Sequence, residues 1–174
     1  MLRPYRGVRP TVHPTAFVDE SAQVIGDVVI GAECGIWMNV VVRGDVNAIR
    51  IGDRSNVQDG TILHGMLNQH AVHVGDDVTI GHAAVVHGCT IEDRVLVGMG
   101  AIVMNGATIG ADSIIAAGSL VTEGFAAPPR SLVMGRPAKV MRALTDDEVS
   151  SIAGYANRYV RYRLDYMDPP GAGE

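Results

Sequence analysis

The feature that most constrains this chain is a period of six. Val12, Val18, Val24, Ile30, Ile36 and Val42 form one unbroken aliphatic series, and Ile91, Val97, Val103, Ile109, Ile115 and Val121 form a second. Neither the helical period nor the alternation of a long strand sustains such a spacing. A very short strand followed by a corner does, with one inward aliphatic per side filling a narrow triangular interior. Three sides of six make one coil, and stacked coils hydrogen-bond at strand spacing, about 4.8 Å. Two independent series argue against a chance run in a Val/Ile-rich chain. Composition agrees: glycine is frequent (21) and aromatics are only 5%, as tight corners and an aliphatic core require.

The phase is disturbed between the two series. It fails at Ala48, resumes at Ile51 and Val57, and then takes a five-residue step to Ile62. Val74 and Ile80 follow, and Ile80 to Ile91 is eleven residues, one short of two periods. Slips in a solenoid map to loops on one face, so the regular stretches read as scaffold and the irregular one as the site.

Residues 1–125 are expected to form the solenoid and the Pro/Gly-rich stretch 126–144 an extended connector. Residues 145–167 switch to helical period. Thr145 and Glu148 make a capping box, and Val149, Ile152, Ala153, Ala156, Tyr159, Val160 and Leu164 form an apolar stripe. The tail, 168–174, is expected to be disordered. The reading is an all-β solenoid with a C-terminal α-helix packed alongside, in a single domain.

A net charge of −5 without a Lys/Arg run argues against a nucleic-acid partner or an anionic membrane surface. Apolar runs are too short for a bilayer-spanning helix, and the first residues lack the apolar core of a secretory signal. Cys34 and Cys89 fit no paired motif and read as buried thiols in a reducing compartment. Cytoplasmic localisation is the expectation.

The irregular region holds His64, His82 and His87. His64 and His82 are 18 residues apart, each two residues after Ile62 or Ile80. They are therefore expected to stack on one side, with His87 around a corner. Outward directions on a three-sided prism diverge by about 120°, so a neighbouring chain must supply part of any shared ligand set, as in a cyclic trimer. Three neutral imidazoles leave an open position on Zn²⁺, the arrangement of a catalytic site. Arg43, Asp45, Asn56, Gln58 and Asp59 are candidates for hydrogen bonds that hold the ligands; His70 and His73 lie in the same irregular loop, and His13 reads as scaffold.

The six-residue period resembles the hexapeptide-repeat, left-handed parallel β-helix superfamily, and that resemblance supplies the handedness. "RGD" at 43–45, "NVQDG" at 56–60, "LHG" at 63–65 and "IGHAAVVHGC" at 80–89 together resemble the gamma-class carbonic anhydrases. The resemblance implies a homotrimer with shared metal sites, Zn²⁺ (Fe²⁺ or Co²⁺ as alternatives) bound by His64 and His87 of one subunit and His82 of its neighbour. It further implies an Arg43–Asp45–Asp59 ion-pair network, Gln58 and Asn56 beside the reacting water, and Tyr159 near the site. The implied reaction is hydration of CO₂ to bicarbonate by metal-held hydroxide. One departure stands out: "GMLNQHAVH" lacks the carboxylate that moves protons in some members, leaving His70 or His73 for that role. A metal-dependent thioesterase or esterase, a hexapeptide acyltransferase and a non-catalytic metal-binding homologue are the alternatives.

Overall fold

The period-six aliphatics turn inward and stack in parallel register. One face carries Val24, Val42, Leu63, Val86, Val103 and Val121. The second carries Val12, Ile30, Ile51, Val74, Ile91, Ile109 and Ala127. The third carries Val18, Ile36, Val57, Ile80, Val97, Ile115 and Val133. Beyond the first coil none of these side chains is more than 5% exposed, and burying each Val, Leu or Ile is worth roughly 1.5–3 kcal/mol. The computed structural model, which describes residues 1–168, is thus a left-handed parallel β-helix with one C-terminal helix.

The register corrects the phase read from sequence. Leu63, fully buried, is the inward residue, whereas Ile62 is 43% exposed. The step from Val57 is therefore a regular six. Every step from the second face to the third, and from the third to the first, is also six. All departures occur at the corner from the first face to the second: nine residues from Val42 to Ile51, eleven from Leu63 to Val74, and five from Val86 to Ile91.

At this corner two strands run straight through, Gln23–Ile30 and Val41–Ile51. They approach so closely that a Cβ on Gly44 would lie 2.5 Å from the Asp27 carbonyl oxygen, and one on Gly26 2.4 Å from the Gly44 carbonyl oxygen. Only glycine fits at these two positions.

The solenoid continues past residue 125. Ala126–Ala127 and Ser131–Gly135 add parallel strands, and Ala138–Ala143 folds back antiparallel on the latter. What sequence presented as a connector is the last coil and a closing hairpin. The reason lies in Ala127 and Val133, which extend the six-residue lattice beyond Val121. The hairpin also covers an edge that would otherwise offer unpaired backbone.

Helix α1 (Asp146–Met167) starts at the Thr145–Glu148 capping box and runs back along the third face. At its far end Arg163 is buried and donates to the Thr15 carbonyl at 2.9 Å and to Glu33 at 2.9 Å. The helix is about 33 Å long at 1.5 Å per residue, close to the height of seven stacked strands at about 4.8 Å. Ile152, Ala156 and Arg163 form the buried stripe; Leu164, expected there, is 52% exposed. Arg163 takes its place because two acceptors on the first coils face it. Among the described residues no helix is long and apolar enough to cross a membrane. Apart from Asp168, the tail expected to be disordered lies outside the described residues.

Candidate metal centre

The corner that carries every irregular step also carries two of the three candidate ligands, His64 and His87. Arg43, His64 and His87 each follow an inward residue of the first face and lie in register. The stacking expected of His64 with His82 is thereby corrected. His64 stacks on His87, because Leu63 rather than Ile62 points inward and moves His64 by one position. His82 sits at the opposite edge of the first face, after the third-face strand Thr79–Ile80.

The two stacked histidines face each other, with His64 Nδ1 3.0 Å from His87 Nε2. Their other nitrogens are engaged. His64 Nε2 lies 3.0 Å from Asp45 Oδ1, and His87 Nδ1 lies 2.6 Å from Asn105 Oδ1. A carboxylate and an amide oxygen only accept, so both outer nitrogens carry the protons. With both imidazoles neutral, their inner nitrogens would present lone pairs to one another across 3.0 Å. A cation resolves this arrangement. Two imidazoles on one tetrahedral Zn²⁺ at 2.0–2.1 Å bring their nitrogens to about 3.3 Å, so the pair is already spaced for an ion of that size.

Burial, joined by the Arg43 guanidinium, holds His64 below the usual histidine value against the opposing pull of Asp45. The neutral, ligating form is thus the favoured one. Burial alone would raise Asp45, but hydrogen bonds from Arg43 and then His64 bring its carboxyl below the usual range. Arg43 reaches Asp45 at 2.6 Å, which follows from their i, i+2 placement on the outer side of one strand.

The second group gathers at the corner between the third and first faces. His82 Nδ1 lies 2.9 Å from Asp59 Oδ2, so its Nε2 remains free. Gln58 and Asn56 are buried, with Gln58 Nε2 donating to Asn56 Oδ1 at 3.2 Å and Asn56 Nδ2 to Thr79 Oγ1 at 2.9 Å. Asp59 thus partners His82, while Arg43 and Asp45 pair at the other corner. Tyr159 stands over Trp37, ring centroids 5.5 Å apart, and burial, then Asp59, raises its phenol. A groove of about 510 Å³ between α1 and the third face opens beside Gln58 and His82, walled by Leu96, Met99, Ile114 and Tyr159.

Among the described residues of one chain, no three His, Cys, Asp or Glu side chains gather as a ligand set. The His64–His87 pair and His82 lie at opposite edges of one face. Between them the outer side of that face is an aliphatic ladder of Val41, Ile62, Val85, Ile102 and Leu120, in register. The corresponding ladder of the second face, with Arg50, His73, Thr90 and Thr108, is polar. The third face is covered by α1.

His70 lies over Gly88 and Gly106 at the His87 corner, whereas His73 is exposed on the second face and His13 is exposed in the first coil. Cys34 and Cys89 are buried free thiols, each pushed up to about 12 chiefly by burial. Sequence reasoning missed Asn105 and its partner Glu123. The signal was available, since both follow His87 at one-coil steps of 18 residues.

The fold and its repeat define a hexapeptide-repeat β-helix protein. Family models described as "Bacterial transferase hexapeptide (six repeats)" and "Hexapeptide repeat of succinyl-transferase" match residues 88–123 and 71–104. Protein YrdA of Escherichia coli is 42% identical over 174 residues, covering 97% of this chain and 95% of its own. Gamma carbonic anhydrase 1, mitochondrial, of Arabidopsis thaliana is 42% identical over 155 residues, covering 86% of this chain. The present chain spans 56% of that relative's length. A crystal structure of a hexapeptide transferase family protein from Anaplasma phagocytophilum superposes with a TM-score of 0.92 at 41% identity, covering 95% of this chain and 98% of its own. The chain belongs to the gamma carbonic anhydrase family.

Proposed function

We propose that this protein is a metal-dependent lyase of the carbonic anhydrase type, hydrating CO₂ to bicarbonate at a site shared between copies of the chain. The observation that carries the reading is the His64–His87 pair, with two inner nitrogens 3.0 Å apart and both outer nitrogens facing acceptors. Such a pair wants a third donor. His82 is suited to give it from a second copy seated on the aliphatic ladder of the first face, which separates the two ligand groups. Three copies arranged cyclically give each interface one complete set.

The residues fit Zn²⁺, with Fe²⁺ or Co²⁺ as alternatives, because all three donors are imidazoles and no thiolate is near. A bound ion of this kind supplies Lewis acidity that makes water nucleophilic near neutral pH. The chain does the rest. Asp45, braced by Arg43, orients His64, and Asp59 orients His82. Gln58, held by Asn56 through its Nε2, lines the groove with its amide oxygen left out of that bond. That oxygen would accept a hydrogen bond from the attacking water and hold its lone pair toward CO₂. His70, at the same corner as His87, is the candidate for removing the proton.

One observation favours a second reading. The groove beside His82 is far larger than CO₂ and largely apolar, as a small ester or thioester substrate of a metal-dependent hydrolase would require. Metal analysis of protein purified without chelator, followed by stopped-flow CO₂ hydration beside thioester hydrolysis, separates the readings. About one transition metal per chain with CO₂ hydration supports the first. Metal with thioester turnover alone supports the second, metal without turnover a non-catalytic homologue, and no metal overturns the site.

A further inference from the structure

His87 begins a file of side chains that descends the corner one coil at a time. Its Nδ1 meets Asn105 Oδ1 at 2.6 Å, and Asn105 Nδ2 donates to Glu123 Oε1 at 2.9 Å. The amide lies against the bare backbone of Gly88, where a Cβ would come within 2.6 Å of Asn105 Oδ1. An amide can present either end to a neighbour, and its two ends impose opposite tautomers on an imidazole. A carboxylate has no such choice. Glu123 accepts only, so it draws the NH₂ group and turns the oxygen of Asn105 toward His87. His87 must then carry its proton on Nδ1 and leave Nε2 bare toward His64.

We propose that Glu123, acting through Asn105, is a positioning residue that sets the tautomer of His87 and so keeps both lone pairs of the His64–His87 pair turned inward. Asp45 does the same for His64 in a single step. The purpose assigned to the tautomer rests on the metal reading, while the tautomer itself does not. Glu123 is exposed, so its bond adds little stability; its effect is on orientation, and the test can avoid unfolding.

Glu123→Lys reverses the polarity at the end of the file, because an ammonium only donates. It should flip the amide and move the proton of His87 to Nε2. Glu123→Gln, whose amide can present either end, should leave both tautomers of His87 populated. Asn105→Asp combined with Glu123→Gln puts an acceptor directly on His87 and should hold its proton on Nδ1.

The readout is the imidazole ¹⁵N spectrum of full-length, histidine-labelled, chelator-treated protein at pH ~8.5, about two units above the ordinary histidine value. Circular dichroism checks that each variant is folded. Wild type should show His87 protonated at Nδ1, and Glu123→Lys should show it mainly at Nε2. The lysine variant should also bind Zn²⁺ roughly 10- to 100-fold more weakly in chelator competition, the usual cost of removing a ligand's outer partner. A wild-type His87 protonated at Nε2, or a tautomer indifferent to Glu123→Lys, would overturn the proposal. If the tautomer switches but wild type binds no metal, this inference stands and the metal reading falls.

Discussion

Two corners of the prism are built from similar residue types and do different things. At the corner from the second face to the third every step is six residues. Arg54 pairs with Asp77 and Arg94 with Asp112 through two bonds each. Asp53, Asp76 and Asp93 each accept a backbone N–H from the neighbouring coil, at 2.7, 2.7 and 2.9 Å. Every carboxylate there is consumed by the scaffold. At the corner from the first face to the second, three of the steps depart from six, at nine, eleven and five residues. The polar groups there hold each other so that two histidine nitrogens are left over. Stacking polar side chains one coil apart is a way of holding a solenoid together; it becomes a site where the stack ends in lone pairs.

The most disruptive way to probe this difference is to lengthen each corner by three residues. Inserted after Asp112, a Gly-Ser-Gly segment should break the Arg94–Asp112 stack and the backbone bonds above it, and coil-by-coil coupling should cost several kcal/mol in urea unfolding. Inserted after Asn68, in the loop that already carries the extra residues, it should cost about 1 kcal/mol or less. Equal losses would erase the distinction between the corners.

Phase supplies a second probe. Leu63→Ala should lower the unfolding free energy by about 2–5 kcal/mol, since Leu63 is fully buried. Ile62→Ala should act on association rather than coil packing, read by light scattering. Two rungs along the outer ladder lies the sharper version: Ile102→Asp should abolish the proposed assembly and with it metal binding, while circular dichroism stays that of a folded solenoid.

The His64 environment makes a pH prediction of intermediate size. Its folded value is lowered, first by burial, so between that value and the unfolded 6.5 the unfolded chain binds more protons. Stability should therefore rise with pH across that window and level off above it. His64→Ala should flatten the slope in chelator-treated protein. The smallest effect belongs to the regular corner: Arg94→Gln should cost less than about 1 kcal/mol and less still in high salt.

The same contrast explains what was legible in the sequence. Where steps are all six, the aliphatics from Val12 to Val42 and from Ile91 to Val121 announced their faces, because one position per hexapeptide must be apolar. Around the irregular corner two adjacent aliphatics, Ile62 and Leu63, both satisfied the pattern, and hydropathy cannot say which turns inward. That single-residue ambiguity put His64 on the wrong neighbour, although the motif resemblance had paired it with His87. Past Val121 the lattice ran on through Ala127 and Val133, hidden by flanking prolines that read as a linker. Asn105 and Glu123 were in plain view at 18-residue steps, but an amide and a carboxylate on a solvated edge carry no chemistry until the imidazole beside them is placed.

In the proposed shared site, His64 and His87 of one copy hold an ion together with His82 of another. Chains carrying His82→Ala and chains carrying His87→Ala should each bind almost no Zn²⁺ or Co²⁺ alone. Unfolded together and refolded at equal amounts, they should regain about a quarter of the wild-type sites, the fraction of cyclic interfaces that pairs an intact His64–His87 corner with an intact His82. A mixture that stays empty, or a His82→Ala protein that keeps its metal, would contradict the shared site.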